Sequence, residues 1–295
     1  MRDKRGGRNI FKKMFKHFLS FALLVLFIST LAVPASAADT ITGNNSSNTA
    51  YIIGNWKYSS TGTTILPEGE NEAYYKFTAN AGERVYVRSS YQHQYAGMKI
   101  EVYKNSLSVN TGTNVIDPSS LTPFIYAKAD DVSSASETFY VKVSRGTYTG
   151  NMYFTVSILD RIKSGSGKFN FKETAINNGN TSLNLDGVDS SVITMDLTTN
   201  ATIPLHAVVK SITTSSTQTP IQGNVTHKLI SNQNGIWNTA IVSNPTSGSY
   251  NISLQNKLDV ASIWSFKYNA KATAKSTMTN VNANINYEYD VTDQF

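Results

Sequence analysis

The sequence predicts an all-β protein, with two β-sandwich (jelly-roll-like) domains in tandem behind a cleaved signal peptide. Three observations carry this reading. Apolar residues recur at every second position in short runs along the chain, and because successive side chains of a strand point to opposite faces, each run is a half-buried strand. Clusters of Gly, Pro, Asn and Ser separate the runs, as turns between antiparallel strands require. No segment carries an apolar stripe at helical spacing.

The N-terminal region comes first. Arg2, Lys4, Arg5, Arg8, Lys12, Lys13 and Lys16 precede an apolar run from Phe18 to Ile28, then Pro34 and the small-residue site Ala35-Ser36-Ala37. A basic region, a short apolar core and an A-x-A site in that order form a secretory signal, residues 1–37. The apolar run falls short of the roughly 20 residues that cross a bilayer. The leader holds seven of the 26 Lys and Arg and one of the 20 Asp and Glu, which leaves 19 of each sign in the exported part. The basic pI of 9.2 therefore belongs to the precursor, and no basic patch remains to attract nucleic acid. The chain has no cysteine, which excludes disulfides, thiol catalysis and zinc–thiolate sites. The C-terminal residues carry no hydrophobic tail or sorting motif, so the product is expected to be secreted or cell-surface associated, with no membrane-spanning segment after processing.

The first domain, 38–160, is read from the alternating runs Ala73/Tyr75/Phe77, Val85/Val87, Met98/Ile100/Val102, Phe139/Val141/Val143 and Met152/Phe154/Val156/Ile158. Residues 161–168, Arg-Ile-Lys-Ser-Gly-Ser-Gly-Lys, read as a flexible linker. A phosphate-loop reading fails there, because Ile162 stands where the first glycine belongs and Phe169 replaces the Ser/Thr. In 169–295, 49 of 127 residues are Ser, Thr or Asn. Trp264 to Ala274 and Val281 to Val291 nevertheless alternate without a break, which predicts a second folded β domain closed by a long hairpin with its loop at 275–280.

The stretch from Pro67 to Val85, with an acidic turn, an aromatic strand, an Ala-Gly turn and an apolar strand, resembles the bacterial pre-peptidase C-terminal domain family. Phe139-Tyr140-Val141-Lys142-Val143, Gly146-Thr147-Tyr148 and Tyr153-Phe154-Thr155-Val156 are similar to that family's closing hairpin. The match spans about residues 48–159. The resemblance implies a small jelly-roll-like sandwich that serves secreted proteins as a non-catalytic accessory or binding module. Here the domain heads the exported chain instead of following a catalytic domain. Its strand from Gly97 to Tyr103 lacks the aspartates often found there, so the resemblance brings no calcium site with it.

Chemistry-bearing residues are sparse. His93, His206 and His227 follow the leader without metal-binding spacing, and no G-x-S-x-G elbow occurs. His227 lies on an alternating strand and reads as a packed, hydrogen-bonded side chain. Glu68, Glu70 and Glu72, and Asp186 with Asp189, are the oxygen-rich groups that could hold calcium; solvated turns are the preferred reading, so no cofactor is expected. Trp56, Tyr58, Tyr91, His93 and Tyr95 are the contact candidates, since exposed rings beside amides stack on sugars or clamp peptides. Trp237 and Trp264 read as core.

The expected function is a secreted, non-catalytic binding or cell-surface/matrix accessory protein, with an extracellular protein, peptide or glycan as partner. A hydrolase with a site hidden from sequence is the alternative. A β-type pore former is the third reading, prompted by the Ser/Thr-rich segment from Ser211 to Thr219. The signal predicts that protein recovered from medium begins at Ala38. N-terminal sequencing that finds residues before Ala35 on the secreted product would overturn this.

Overall fold

The computed structural model describes residues 40–54, 56–57, 61–104, 107–130 and 135–295. The signal segment 1–37 lies outside them. The described part is all-β. Its helical elements are three short 3-10 turns, Ser47–Thr49, Leu254–Asn256 and Val291–Gln294.

The first half comprises β1 (Tyr51–Ile52), β2 (Thr64–Leu66), β3 (Glu72–Ala79), β4 (Arg84–Ser90), β5 (Lys99–Lys104), β6 (Leu107–Gly112), β7 (Phe124–Asp130), β8 (Glu137–Ser144), β9 (Met152–Phe154) and β10 (Val156–Asp160). The sheet β1-β3-β8-β5-β6 faces the sheet β10-β4-β7, and β2 pairs with β9 beside them. The period-two runs close the core between the sheets. Tyr75 and Phe77 of β3, Val85 and Val87 of β4, Ile100 and Val102 of β5, and Phe139 and Val141 of β8 are all buried. Phe77 stacks on Phe139 at 5.4 Å, and Tyr75 shares a 2.6 Å hydroxyl hydrogen bond with Thr64. The segments similar to a closing hairpin do not pair with each other. β8 lies between β3 and β5, whereas β10 lies on β4 in the opposite sheet.

Arg145 ties the loops at one end. Its guanidinium is buried and donates to the carbonyls of Glu70 (2.6 Å), Tyr148 (3.0 Å), Gly150 (2.6 Å) and Leu66 (3.3 Å), and to that of Pro67. A planar five-donor fork suits this task, since one side chain satisfies carbonyls of two loops at once.

The second half comprises β11 (Ile162–Asn170), β12 (Ala175–Asn177), β13 (Val188–Asp189), β14 (Ile193–Asp196), β15 (Val208–Thr219), β16 (Val225–Ser231), β17 (Asn238–Thr239), β18 (Val242–Asn244), β19 (Ser247–Ser249), β20 (Ile263–Ala270) and β21 (Ser276–Asp290). The sheet β11-β21-β15-β19-β18, with β12 also on β21, packs against β13-β20-β16-β17, with β14 also on β20. Trp264, Phe266 and Tyr268 from one sheet meet Val281, Ala283 and Ile285 from the other in a core separate from the first. The Trp264 indole donates to Val260 O at 3.1 Å.

Two sequence expectations fail here for physical reasons. The hairpin does not form: β20 and β21 lie in opposite sheets, and residues 271–275 carry the chain across the sandwich. The supposed loop is instead strand, because Ser276 to Met278 pairs with β12 and Thr277 to Thr279 pairs with β15. Nor is 161–168 a linker. Residues 162–170 form β11, nine residues in unbroken antiparallel register with β21. The glycines that suggested flexibility answer a packing demand. A Cβ on Gly165 would lie 2.4 Å from the Tyr287 ring, and one on Gly167 would lie 2.4 Å from the Phe169 ring.

β10 passes into β11 through Arg161 alone. Its side chain is buried between two carboxylates, Asp130 of the first half at 2.6 Å and Asp290 of the second at 2.7 Å. Its amide donates to Arg84 O, and its carbonyl accepts from Val291 N. Beyond Val291 the chain lies over β4 and β7, where the Phe295 ring meets Tyr126 (5.0 Å), Phe124 (5.3 Å) and Tyr86 (5.6 Å).

Brief proteolysis is therefore expected to spare 161–168. Replacing Arg161 by Ala leaves two carboxylates without their shared cation, and is expected to cost roughly 3 kcal/mol in denaturant unfolding, the low end for a broken buried pair because Asp130 is partly exposed. Preferential cleavage in this segment, or an Arg161→Ala variant as stable as wild type, would show that the junction is not held this way.

Candidate functional site

The structure disperses the aromatic candidates. Trp56 is buried in the first core, donates its indole N–H to Glu83 Oε2 at 3.3 Å, and has Lys57 5.3 Å over its ring. It is a packing residue and not a stacking platform. Burial alone would raise the Glu83 pKa, but hydrogen bonds from Lys57, Asn80 and Trp56 outweigh it and hold the carboxyl at about 2. Tyr95 is fully buried; its hydroxyl accepts from Tyr153 N at 2.9 Å and its ring tilts against Tyr148 at 5.2 Å. It too is corrected from contact to core. Tyr58 lies outside the described residues. His93 is exposed on the 91–97 loop. Tyr91, half-buried, lines a cleft of about 320 Å³ with Arg88, Gln92, Leu121 and Phe124. Arg88 lies 5.4 Å over the Phe124 ring, so the cleft combines a cation, an apolar floor and a polar rim.

The acidic candidates do not converge. Glu68 is exposed, and its backbone amide donates to Asn151 Oδ1 at 2.9 Å. Glu70 accepts from Asn45. Glu72 accepts from Tyr74 OH at 2.6 Å and pairs with Lys142 at 3.3 Å. Lys142 also pairs with Glu101 at 3.0 Å. Asp186 is exposed on a turn. Asp189 pairs with Lys228 (2.8 Å) and Lys267 (2.7 Å) and accepts from Asn269. Lys228 and Lys267 are cross-strand partners, and the carboxylate between them offsets their repulsion. Burial opposes its ionisation, but the two ammonium groups and the Asn269 amide prevail and hold the Asp189 pKa at about 2. A carboxylate so occupied has cations where a metal would sit. Trp237, expected in the core, is half-buried on this outer face with Lys267 4.4 Å over its ring.

The histidines lie apart. His206 is exposed, 3.2 Å from Asp293. His227 is fully buried on β16. Its Nδ1 lies 2.8 Å from Thr214 Oγ1, which in turn lies 3.1 Å from Tyr250 OH. Phe266 stands edge-on to its ring at 5.1 Å, and its Nε2 is buried without a hydrogen-bond partner.

The surface that sequence reading missed is the outer face of β11-β21-β15-β19-β18. Register aligns its outward side chains in rows across the strands. One row runs Asn244, Ser247, Ser215, Asn282, Asn170, in which Asn282 is buried, and the next runs Val242, Ser249, Thr213, Asn284, Lys168. Ser211, Asn286 and Ser166 follow on one side, with Thr217 beside Thr279 and Thr219 beside Thr277 on the other. Ser215 Oγ donates to Asn282 Oδ1 at 2.7 Å, and Asn286 Nδ2 donates to Ser211 Oγ at 2.9 Å. The Ser, Thr and Asn excess after residue 169 was the visible signal, but the rows exist only once five strands are in register. The Ser211 to Thr219 segment belongs to this sheet as β15, with Ile212 and Thr214 turned into the core and no apolar outward side to meet lipid.

Burial opposes protonation of His227 and holds its pKa down at about 4, with a backbone contact at Asn244 acting in the other direction. An unfolded histidine titrates near 6.5. The stability this neutral side chain preserves is therefore complete above about pH 6.5 and is lost as pH falls toward 4, by about 3 kcal/mol in all. Urea unfolding should show that slope between pH 6.5 and 4.5, and His227→Gln should flatten it. An unchanged slope in the variant would assign the loss to other groups.

No family model matches the chain. Among solved structures it is similar to the pre-peptidase C-terminal domain of a Bacillus anthracis collagenase, at 15% identity over 37% of this chain and 94% of that one, with a TM-score of 0.29. A candidate secreted protein from Eubacterium rectale aligns over 85% of both chains at 9% identity and a TM-score of 0.36. The uncharacterized protein YbdN of Bacillus subtilis (strain 168) is 56% identical over 283 residues, 95% of this chain and 99% of that protein. With that identity along nearly its whole length, the chain belongs to the family of YbdN.

Proposed function

We propose that the protein is a secreted, non-catalytic binding protein that associates with cell-surface or matrix material. The observation that carries this reading is the use to which ionisable side chains are put. Asp189 is held between two lysines, Glu72 and Glu101 share Lys142, Arg161 joins the halves, and His227 is sealed in a core. Each of these groups is held within the fold, and what faces solvent on the β11-β21-β15-β19-β18 sheet of the second sandwich is a broad, nearly uncharged array of hydroxyl and amide groups. Among the described residues no helix is long and apolar enough to cross a membrane, and the basic leader with its A-x-A site supports export. The same reading takes no metal cofactor.

Purified protein is expected to leave peptide, ester and glycan substrates unhydrolysed. It is expected to bind isolated cell-envelope material with little dependence on salt, because its exported form is balanced in charge. Its melting midpoint should be the same in chelator and in calcium. Turnover of any such substrate that a His206 or His227 substitution abolishes without unfolding would overturn the reading.

A further inference from the structure

We infer that the outer face of β11-β21-β15-β19-β18 is a docking surface for a neutral polysaccharide. This rests on the reading of the protein as a non-catalytic binding protein and names its ligand class.

The first argument is charge. Within the rows Lys168 is the lone charged side chain, and no carboxylate occurs there; the Lys210–Glu288 pair, at 2.7 Å, sits at the margin. The outer face of the opposite sheet is different, since it carries the Asp189, Lys228 and Lys267 ion pairs. So is that of the first sandwich, with Glu72, Glu101 and Lys142. A polyanion finds no cationic track on the rows, and a polycation finds no carboxylate. A neutral partner loses no counter-charge on docking there.

The second argument is hydrogen-bonding chemistry. Hydroxyls and carboxamides both donate and accept, as do the hydroxyl groups of a sugar chain. Neighbouring strands are about 4.8 Å apart, and same-face residues along a strand about 6.7 Å, so the rows form a grid of such groups. An apolar polymer would strand these donors and acceptors, at a cost for each group left unmade.

The third argument is preorganisation. Ser215 to Asn282, Asn286 to Ser211, and Asn284 Nδ2 to Asn282 Oδ1 at 3.4 Å already hold one another. Short side chains fixed in this way lose little freedom on binding; Asn282 is buried and supports the row from beneath, and the exposed Asn284 and Asn286 keep lone pairs and N–H groups for a ligand. With no aromatic plane in the rows, individual contacts are weak. The surface therefore favours a long polymer that engages several rows at once over a short oligosaccharide.

The test is retention of the full exported chain on insoluble chitin and cellulose, with phosphocellulose as an anionic comparator. We expect saturable retention on at least one neutral polymer, equal at low and high salt. Asn284→Glu with Asn286→Glu should weaken it at least about tenfold, and Asn284→Lys with Asn286→Lys should do the same, since either charge disrupts a neutral contact. Thr194→Glu, exposed on the opposite outer face, should leave it intact. All variants should melt with wild type, because the altered side chains are exposed. Retention on phosphocellulose alone, retention lost at high salt, no retention on any polymer, or retention indifferent to both double variants would overturn the assignment. Binding to envelope material that survives both double variants would remove this face while leaving the broader binding reading in place. Cleavage of the retained polymer would remove the non-catalytic reading while leaving the face.

Discussion

Strand β21 places apolar side chains on one face and amides and hydroxyls on the other, and much of the molecule follows from that alternation. Val281, Ala283 and Ile285 close the second core. Asn284 and Asn286, exposed, and Asn282, buried beneath its neighbours, form the middle column of the polar face. The length of the strand lets it pair with β11, β12 and β15 together. Its last residue, Asp290, reaches Arg161 at the junction with the first sandwich. A shift of register by one residue would reverse both faces at once. Amides would enter the core and Ile285 would meet water, so core, polar surface and junction depend on the same pairing.

Much of the fold could be read from the sequence because burial on one face of a strand is a local, period-two property. Ala73/Tyr75/Phe77 and Trp264/Phe266/Tyr268 point into their cores as that pattern requires. What could not be read was which strands meet. Trp264–Ala274 and Val281–Val291 alternate in the same way whether they form one hairpin or lie in facing sheets. Gly165 and Gly167 have the composition of a linker until the rings of Tyr287 and Phe169 are placed over them. The site was less legible for the same reason. Trp56 beside Asn55 and Lys57 has the local character of an exposed contact, yet it fills the core. The rows of the polar face join residues as far apart in sequence as Asn170 and Asn282, and only register brings them together.

Charge in this protein fastens backbone and strands. Arg145 gathers carbonyls from two loops, Arg161 bridges two carboxylates, and Asp189 offsets two facing lysines. In a chain without cysteine, these contacts act where covalent cross-links could otherwise close loops. Buried polar groups with several partners restrict the packings a core can adopt, even where their net contribution to stability is small.

The position of β11 at the end of its sheet bears on how the protein behaves in concentrated solution. An edge strand presents unpaired N–H and C=O groups that another chain can extend. Lys163 and Lys168, both exposed, flank the Ser-Gly-Ser-Gly stretch of this edge. A second copy approaching in antiparallel register about the middle of that stretch would set Lys163 of each chain against Lys168 of the other. The edge that could extend the sheet therefore carries, at both ends of its glycine-bearing stretch, a like charge set against the same charge on an incoming copy.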